Sequence, residues 1–331
     1  MFDKTLDTVT FEVIRNALQS ITDEMMLTIQ RTGRSPTTTQ AFDFSAALCD
    51  NDGDVLDQGL AIPIHMGGIP DAVRACIDKF KGRIYSGDAI IVNDPYSGGL
   101  HLPDIFCVYP IFHSGKLFGF SVTVVHHMDV GGRAPGSMAH DSTEIYQEGL
   151  RIPPTKLVER GVISEAITDL IELNVRTPEV VRADLSGQIS ACQMGERGVL
   201  DLINRYGMDE LKEYLRELMN YSDRITRQAI SVWPDGLYEF TDYLDDDGID
   251  DQPIPIRAAV RVKGDSVLVD FSGSASQTQG ALNCVLSQSK AMAYAAIRCA
   301  IGEDMPNNSG CFRAVEVTAP EGTITNMRHS A

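Results

Sequence analysis

The sequence is poor in positive charge, and it has no long apolar run. Lys and Arg number 28 against 46 Asp and Glu in 331 residues, which leaves a net charge of -18. Such an excess repels phosphate backbones and anionic membrane surfaces. No stretch approaches the roughly 20 apolar residues that a membrane helix needs, and the start, MFDKTLDTVTFE, is too polar for a secretion signal. We therefore expect a cytoplasmic protein that binds neither nucleic acid nor membrane.

Two kinds of short motif are also missing. The seven cysteines are odd in number and never stand in a C-x-x-C pair, which argues against a disulfide framework or a thiolate zinc site. No G-x-x-x-x-G-K-[ST] occurs, so the chain has no recognisable nucleotide loop of its own. We expect most of the cysteines to be buried as small hydrophobic residues.

The first third of the chain has clear helical and hairpin signals. Apolar residues recur at three- and four-residue steps from Thr10 to Gln30, which predicts an amphipathic helix with Thr10 as its N-cap. A strand over 42–49, the turn Asn51-Asp52-Gly53 and a returning strand predict a hairpin. A Pro just inside its start marks a second helix over 67–81.

The remaining elements predict a mixed α+β fold with antiparallel-rich sheets and a helical middle. Strands are expected at 89–92, 105–112 and 117–126, helices between about 161 and 231, strands at 236–243, 256–262 and 266–271, and a helix at 287–299. We expect three regions, 1–160, 161–232 and 233–331, interlocked as one domain. The acidic run 245–251 lacks the ligand positions of an EF-hand, so a solvated loop is the better interpretation.

The densest group of chemically capable residues runs from Asn93 to Asp129. Polar groups at the root of an otherwise apolar hairpin are costly to bury unless each has a partner or a metal. If the two strands pair across Ser114-Gly115, Asp104 faces Val125 or His126, and His101 lies beside His127 and Met128.

Two imidazoles and a carboxylate suit a divalent transition metal such as manganese, iron or zinc. Pairing alone leaves open whether His126 or His127 is the ligand, because a one-residue slip exchanges the faces. The other would support the ligands or act as an acid/base. The alternative is that these histidines only satisfy buried polar groups at the strand ends.

Seven motifs together resemble the hydantoinase B family, in order and wording across nearly the whole chain: FDFSAALCDNDGDVL, IPIHMGGIPDAV, GDAIIVNDPYSGGLHLPDI, HHMDVGG, EIYQEGLRIPPTKL, DFSGSASQTQGALN and VTAPEGT. This family includes the N-methylhydantoinase B subunit, the matching half of oxoprolinase, caprolactamase and the metal-binding subunit of acetone carboxylase. Carried over by position, its manganese site in the carboxylase branch implies His101, Asp104 and His126 as the metal ligands.

The resemblance also implies a division of labour. ATP is used by a separate A-type subunit, and this chain would be the metal-bearing partner in opening a cyclic amide such as hydantoin, N-methylhydantoin or oxoproline. The alternatives are an acetone-type carboxylase subunit and a non-catalytic partner of the ATP-using subunit. Family members are longer, so we expect this chain to be C-terminally truncated.

Other polar residues of these motifs are candidates for acid/base chemistry or for supporting the ligands; they are His127, Asp129, Glu148, His65 and Glu144. A purely structural hydrogen-bonding role is at least as well supported for each of the last four. The glycine pairs 98–99 and 131–132 are expected to allow tight turns beside the site, and His113 and His140 to be exposed.

Overall fold

The computed structural model describes residues 6–59, 62–302 and 305–329. Its α-helices are α1 (Thr8–Thr32), α2 (Pro36–Thr39), α3 (Gly68–Lys79), α4 (Glu165–Asn174), α5 (Pro178–Tyr206), α6 (Met208–Ile230) and α7 (Leu286–Ile301). Its strands are β1 (Phe44–Asp50), β2 (Val55–Gln58), β3 (Ala89–Val92), β4 (Asp104–His113), β5 (Lys116–His126), β6 (Thr155–Glu159), β7 (Val162–Ile163), β8 (Gly236–Leu244), β9 (Ile254–Lys263), β10 (Ser266–Asp270) and β11 (Val315–Thr318). Within these residues no helix is both long enough and apolar enough to cross a membrane.

A seven-stranded antiparallel sheet forms the main layer, in the order β2-β1-β5-β4-β3-β6-β7. Strand residues alternate between its two faces. Phe106 and Val108 of β4 pack with α3 on one face, whereas Ile105 and Cys107 pack with α4 and α5 on the other. The long apolar strands β4 and β5 are therefore covered on both sides and lie at the centre of the sheet.

Helix α1 packs on the same face of the sheet as α5, through the predicted apolar stripe. Ile14, Leu18, Met25 and Ile29 are almost fully buried. Its N-cap is Asp7, whose carboxylate accepts from the Thr10 backbone N–H, so the prediction of Thr10 as the cap was wrong. The helix begins one turn earlier because Asp7 supplies the acceptor that the first free N–H groups need.

The last part of the chain builds a second, four-stranded sheet in the order β11-β10-β9-β8. Strand β11 is parallel to β10, and the other pairs are antiparallel. Val267 and Val269 of β10 pack with Ala293 and Ile297 of α7. The mixed α and β fold with antiparallel-rich sheets is thus confirmed.

The structure corrects several details of the sequence-based prediction. The short strands β6, β7 and β11 were missed, and β7 falls inside the region predicted as helical. Strand β1 begins at Phe44 because Phe42 has a left-handed backbone, with φ +55°. In the acidic loop Asp247 is buried, and its carboxylate accepts from the backbone of Ile249, Asp250 and Gly280. That residue is a structural acceptor within the loop.

Five of the seven cysteines are buried, as expected, and all seven are free thiols. The glycine pairs also behave as predicted. Gly98, Gly131 and Gly132 have positive φ angles, and a side chain on Gly99 would lie 2.3 Å from the Asn93 carbonyl oxygen. These positions allow the backbone to turn sharply beside the ends of β4 and β5.

Candidate metal centre

The pairing of β4 with β5 brings a carboxylate and an imidazole together at the open end of the hairpin. Asp104, the first residue of β4, is directly opposite His126, the last residue of β5, which is one of the two predicted registers. The chain turns immediately before β4, where the Asp104 N–H donates to the His101 carbonyl oxygen. This turn returns the His101 ring to the site, with its centroid 5.1 Å from that of His126.

The donor atoms of this trio lie within 4.8 Å of one another. His101 Nδ1 is 2.6 Å from Asp104 Oδ2, and His126 Nδ1 is 3.3 Å from Asp104 Oδ1. The Asp104 side chain is 1% exposed, whereas those of His101 and His126 are 33% and 16% exposed. The carboxylate therefore forms the floor of the site, and the two imidazoles form its accessible rim.

Unpaired buried atoms show that the trio fits a metal ion. Both oxygens of Asp104 and the Nδ1 of His101 are buried without a hydrogen bond of acceptable geometry to any described residue. Buried polar atoms in native proteins nearly always have a partner. Two imidazole nitrogens and a carboxylate leave coordination positions free on a divalent transition metal. We infer that this donor set is arranged for such an ion.

The Asp104 carboxylate and the neighbouring imidazoles each favour the charged form of the other. Burial by itself raises the pKa of the Asp104 carboxyl, but the neighbouring imidazoles, His101 first, outweigh burial and bring that pKa well below its usual range. Burial lowers the pKa of His101, yet the Asp104 carboxylate raises it above the ordinary histidine value. The carboxylate is thus held in the anionic form that binds cations.

Two further side chains approach the trio. His65 is fully buried, with Nδ1 2.9 Å from the Ser45 hydroxyl and an unpaired Nε2 3.9 Å from Asp104 Oδ2. Burial lowers the pKa of His65, which favours the neutral ring. Asp43 places Oδ2 3.9 Å from His126 Nδ1. Asp43 was not singled out from the sequence, although it stands within the quoted FDFSAAL motif.

His127 lies on the opposite side of the sheet from the trio. Its Nε2 is 3.0 Å from the Gln188 side-chain oxygen on α5, and the Gln188 amide donates to the Ile105 carbonyl. The ring is fully buried and its pKa is lowered, chiefly by burial. The prediction that His101 would lie beside His127 fails because the chain leaves the strand direction at Asp104, and His101 meets His126 instead.

Asp129 is held by four hydrogen bonds. It accepts from the backbone N–H groups of Gly131, Gly136 and Arg176 and from the Arg176 guanidinium at 2.9 Å. Burial opposes the effect of these donors on the Asp129 pKa, but that pKa is lowered overall. These contacts tie the loop after β5 to Arg176, between α4 and α5, so the structure gives Asp129 a positioning role.

A cavity of about 390 Å³ opens beside the trio. His101 and Glu148 border it together with mostly apolar residues that include Leu100, Ile145 and Leu282. Burial raises the pKa of Glu148, and the His101 charge opposes that rise. The Glu148 carboxyl has no hydrogen bond or ion pair with any described residue, so it is available to a ligand in the cavity.

The remaining candidates lie at its edge or away from it. Glu144 is exposed and begins the short 3-10 turn Ile145–Gln147 without contributing to the site. His140 is exposed as predicted and also borders the cavity. His113 is half-buried at the far end of the β4–β5 hairpin, opposite Lys116.

Comparison with known proteins gives one family. The sequence pattern of the hydantoinase B/oxoprolinase family matches residues 7–331. The beta subunit of caprolactamase from Pseudomonas jessenii is 35% identical over 99% of this chain and 56% of its own length. The B component of a putative D-/L-hydantoinase from Pseudomonas sp. (strain NS671) is 33% identical over 98% of this chain and 57% of its own length. The chain thus spans a little over half the length of these relatives.

Solved structures agree with this result. The crystal structure of the ATP-dependent caprolactamase from Pseudomonas jessenii matches 98% of this chain and 56% of its own, with 35% identity and a TM-score of 0.94. A nucleotide-free acetone carboxylase structure matches 97% of this chain and 44% of its own, with a TM-score of 0.90. Its sequence identity is 20%, so that likeness concerns the fold.

Proposed function

The chain belongs to the hydantoinase B/oxoprolinase family, and from that premise we propose that it is the metal-bearing B-type subunit of an ATP-dependent cyclic amide hydrolase. The observation that carries the proposal is the convergence of His101, Asp104 and His126, with unpaired buried donor atoms, beside a cavity. The names of the caprolactamase and hydantoinase relatives support the substrate class. Hydantoin, N-methylhydantoin and oxoproline are the candidate rings.

We propose that His101, Asp104 and His126 hold a divalent manganese, iron or zinc ion. Asp43 and His65 approach within 3.9 Å of ligand residues and would support or complete the set. When bound, the ion supplies Lewis acidity toward an acyl or phosphoryl oxygen of the substrate. The chain itself supplies the rigid strand ends that fix these donors.

Glu148 is the group that we propose as the acid/base. Its carboxyl borders the same cavity as His101, and burial raises its pKa, which favours the protonated form that a general acid needs. Glu148 takes a proton from the water that attacks the amide carbon and returns it to the ring nitrogen as the C–N bond breaks. The apolar wall of the cavity packs against the methylene groups of the ring and limits the entry of other water.

ATP, in this proposal, is used by an A-type partner subunit. Two relatives are themselves named as the beta or B component of an enzyme, which supports a hetero-oligomer. An unactivated amide resists attack by water, and phosphorylation of its oxygen on the partner makes the carbon electrophilic. Breakage of the C–N bond then leaves an acyl phosphate, which a second water molecule hydrolyses to the carboxylate and inorganic phosphate. His127 and Asp129 would then hold in place the segment that follows β5, next to Asp104 and His126.

The test is co-expression with the A-type subunit, followed by a screen of hydantoins, oxoproline, lactams and ketones for ATP-dependent turnover. We expect turnover of a cyclic amide by wild type and by His113→Ala, whose histidine is at the other end of the same hairpin. His126→Ala should abolish it. Normal turnover by His126→Ala would instead indicate a non-catalytic partner of the ATP-using subunit, and turnover of ketones with bicarbonate would indicate a carboxylase.

The role of Glu148 is tested by a matched pair of variants. Glu148→Gln should lower turnover about 100-fold or more, the usual contribution of a general acid/base, while the metal content stays that of wild type. Glu144→Gln, an exposed position in the same segment, should retain activity. Equal activity of the two variants would remove Glu148 from the mechanism.

A further inference from the structure

A second cavity, of about 200 Å³, lies on the other side of α7 from the His101 cavity. Gln288 of α7 borders the first cavity, whereas Lys290 and Tyr294 border the second. Positions 288 and 290 are roughly 200° apart around a helix. Helix α7 therefore forms a wall between the two spaces.

The charge of the second cavity is opposite to that of the chain as a whole. Three cationic side chains border it: Arg74, Lys290 and Arg313. Arg74 is neutralised by Asp54 at 2.5 Å and Asp71 at 3.8 Å. Lys290 and the exposed Arg313 form no ion pair with a described residue, and the Arg313 guanidinium donates only to the Asn220 amide oxygen. Two unpaired cations in a chain of charge -18 mark this cavity as attractive to an anion.

The side-chain amide of Gln58 is a further polar group that borders this cavity without a partner among the described residues. Gln58 is 5% exposed and borders the cavity. Its backbone N–H and carbonyl are bonded to Asn307, but its side-chain amide has no hydrogen bond to any described residue. The amide is therefore free to donate to an occupant of the cavity. An occupant with acceptor oxygens would satisfy the amide and neutralise Lys290.

We propose that this cavity binds a small oxyanion, carrying phosphate or carboxylate oxygens, through Lys290, Arg313 and the Gln58 amide. The stacked rings of Tyr294 and Phe312, with centroids 4.1 Å apart, close one side. Ammonium and guanidinium groups together make charge-assisted hydrogen bonds to such oxygens. The site is separate from the metal centre and does not depend on the proposed hydrolase activity.

The position of the cavity connects it to the metal centre. Met66 and Gly67, which border it, directly follow His65. Helix α7 packs so closely on this turn that a side chain on Gly67 would lie 2.2 Å from the Ser287 carbonyl oxygen. An anion held by Lys290 would therefore restrain α7 against the turn that carries His65.

Isothermal titration of the purified chain with inorganic phosphate, at ionic strength held constant with chloride, tests the site. Saturable binding is expected to wild type and to Lys263→Gln, whose lysine is exposed in the β9–β10 turn. Lys290→Gln should weaken binding at least tenfold, and Gln58→Glu, which replaces the amide by a like-sized carboxylate, should abolish it. Circular dichroism establishes that each variant is folded.

A parallel titration with malonate, a dicarboxylate, tests whether the site takes carboxylate oxygens as well as phosphate oxygens. Binding of malonate that Lys290→Gln also weakens supports the site and assigns it to carboxylates. The proposal is overturned if neither phosphate nor malonate binds saturably, or if folded Lys290→Gln binds them as tightly as wild type does. Because the titration needs neither metal nor partner, its failure leaves the metal-site proposal untouched.

Discussion

Two buried aspartates at the same end of the β4–β5 hairpin, Asp104 in β4 and Asp129 in the loop after β5, differ in how their oxygens are satisfied. Asp129 is 3% exposed and accepts four hydrogen bonds from Gly131, Gly136 and Arg176. Asp104 is 1% exposed, and neither of its oxygens has a hydrogen bond of acceptable geometry. A fully bonded carboxylate stabilises the fold, whereas an unpaired one surrounded by imidazoles is suited to a ligand. The difference distinguishes Asp129, whose oxygens hold the fold, from Asp104, which we propose as a metal ligand, without reference to sequence motifs.

The largest effect should come from Asp129→Ala. Loss of four hydrogen bonds, some of them charge-assisted, should lower the free energy of unfolding by about 3 to 5 kcal/mol. Urea unfolding followed by circular dichroism measures this. Asp141→Ala, an exposed acidic position in the same loop, should leave the midpoint unchanged. If both variants unfold at the wild-type midpoint, the bonds at Asp129 are not structural.

Asp104→Asn should have the reverse profile. Removal of the Asp104 carboxylate should weaken metal binding by more than about 100-fold. This exceeds the loss that is typical when a residue that only hydrogen-bonds to a metal ligand is replaced. The metal-free chain should lose only the ion pairs of Asp104 with the neighbouring histidines, chiefly His101, so its stability should fall by less than that of Asp129→Ala, which loses four hydrogen bonds. Equilibrium dialysis against Mn²⁺ with elemental analysis provides the measurement, and Asp201→Asn on the exposed face of α5 is the control. Wild-type metal content in Asp104→Asn would refute the site.

Asp57 is an intermediate case that sharpens the comparison. It is 9% exposed, its carboxylate accepts a hydrogen bond from the Thr22 hydroxyl, and burial raises its pKa from 3.8 to about 6. The folded chain therefore binds a proton that the unfolded chain releases between those values. Its contribution to stability is present at acid pH and is lost as the pH rises from about 4 to about 6.

As the pH rises through this range, Asp57 should lower the free energy of unfolding of the wild type by about 2 to 3 kcal/mol. Asp57→Asn should remove this loss, so that the variant gains stability relative to wild type at pH 7 but not at pH 4. Urea unfolding across this range, with exposed Asp78→Asn as the control, isolates the effect. A wild-type pH dependence in Asp57→Asn would show that the carboxyl titrates normally.

The smallest effect is expected at Ser45, whose hydroxyl lies 2.9 Å from His65 Nδ1. Ser45→Ala should weaken Mn²⁺ binding about tenfold, the lower end of the range for residues that orient a metal site. Ser20→Ala, exposed on α1, should bind as wild type does. Equal Mn²⁺ affinities of the two variants would show that the contact between Ser45 and His65 does not contribute to metal binding.

The sequence was sufficient for the part of the site that depends on local pairing. A tight turn sets the register of a hairpin, so pairing across Ser114-Gly115 placed Asp104 opposite Val125 or His126, and the structure has the second of these. The choice between His126 and His127 did not follow from pairing and rested on the family resemblance. His101 was misplaced because the turn before β4 depends on a backbone bond from Asp104 that no periodicity reveals.

Other features depend on contacts between distant segments. Asp43 approaches His126 because β1 pairs with β5 in the sheet, and no local pattern states which strands become neighbours. Strands β7 and β11 are two and four residues long, too short to show alternation. The main helices and long strands were predictable because their apolar residues repeat over several turns or pleats.

The central place of β4 and β5 in the sheet governs how fast the site can release what it holds. Strand β5 is paired with β4 on one edge and with β1 on the other over residues 119–125, and β4 is also paired with β3 over residues 106–108. Neither is an edge strand, so Asp104 and His126 cannot separate by fraying of an edge strand. Opening that end of the hairpin requires breaking the sheet, which places it among the slowest openings of the chain. An ion bound there should leave through the cavity, at a rate set by rotation of the two rim imidazoles and not by unfolding.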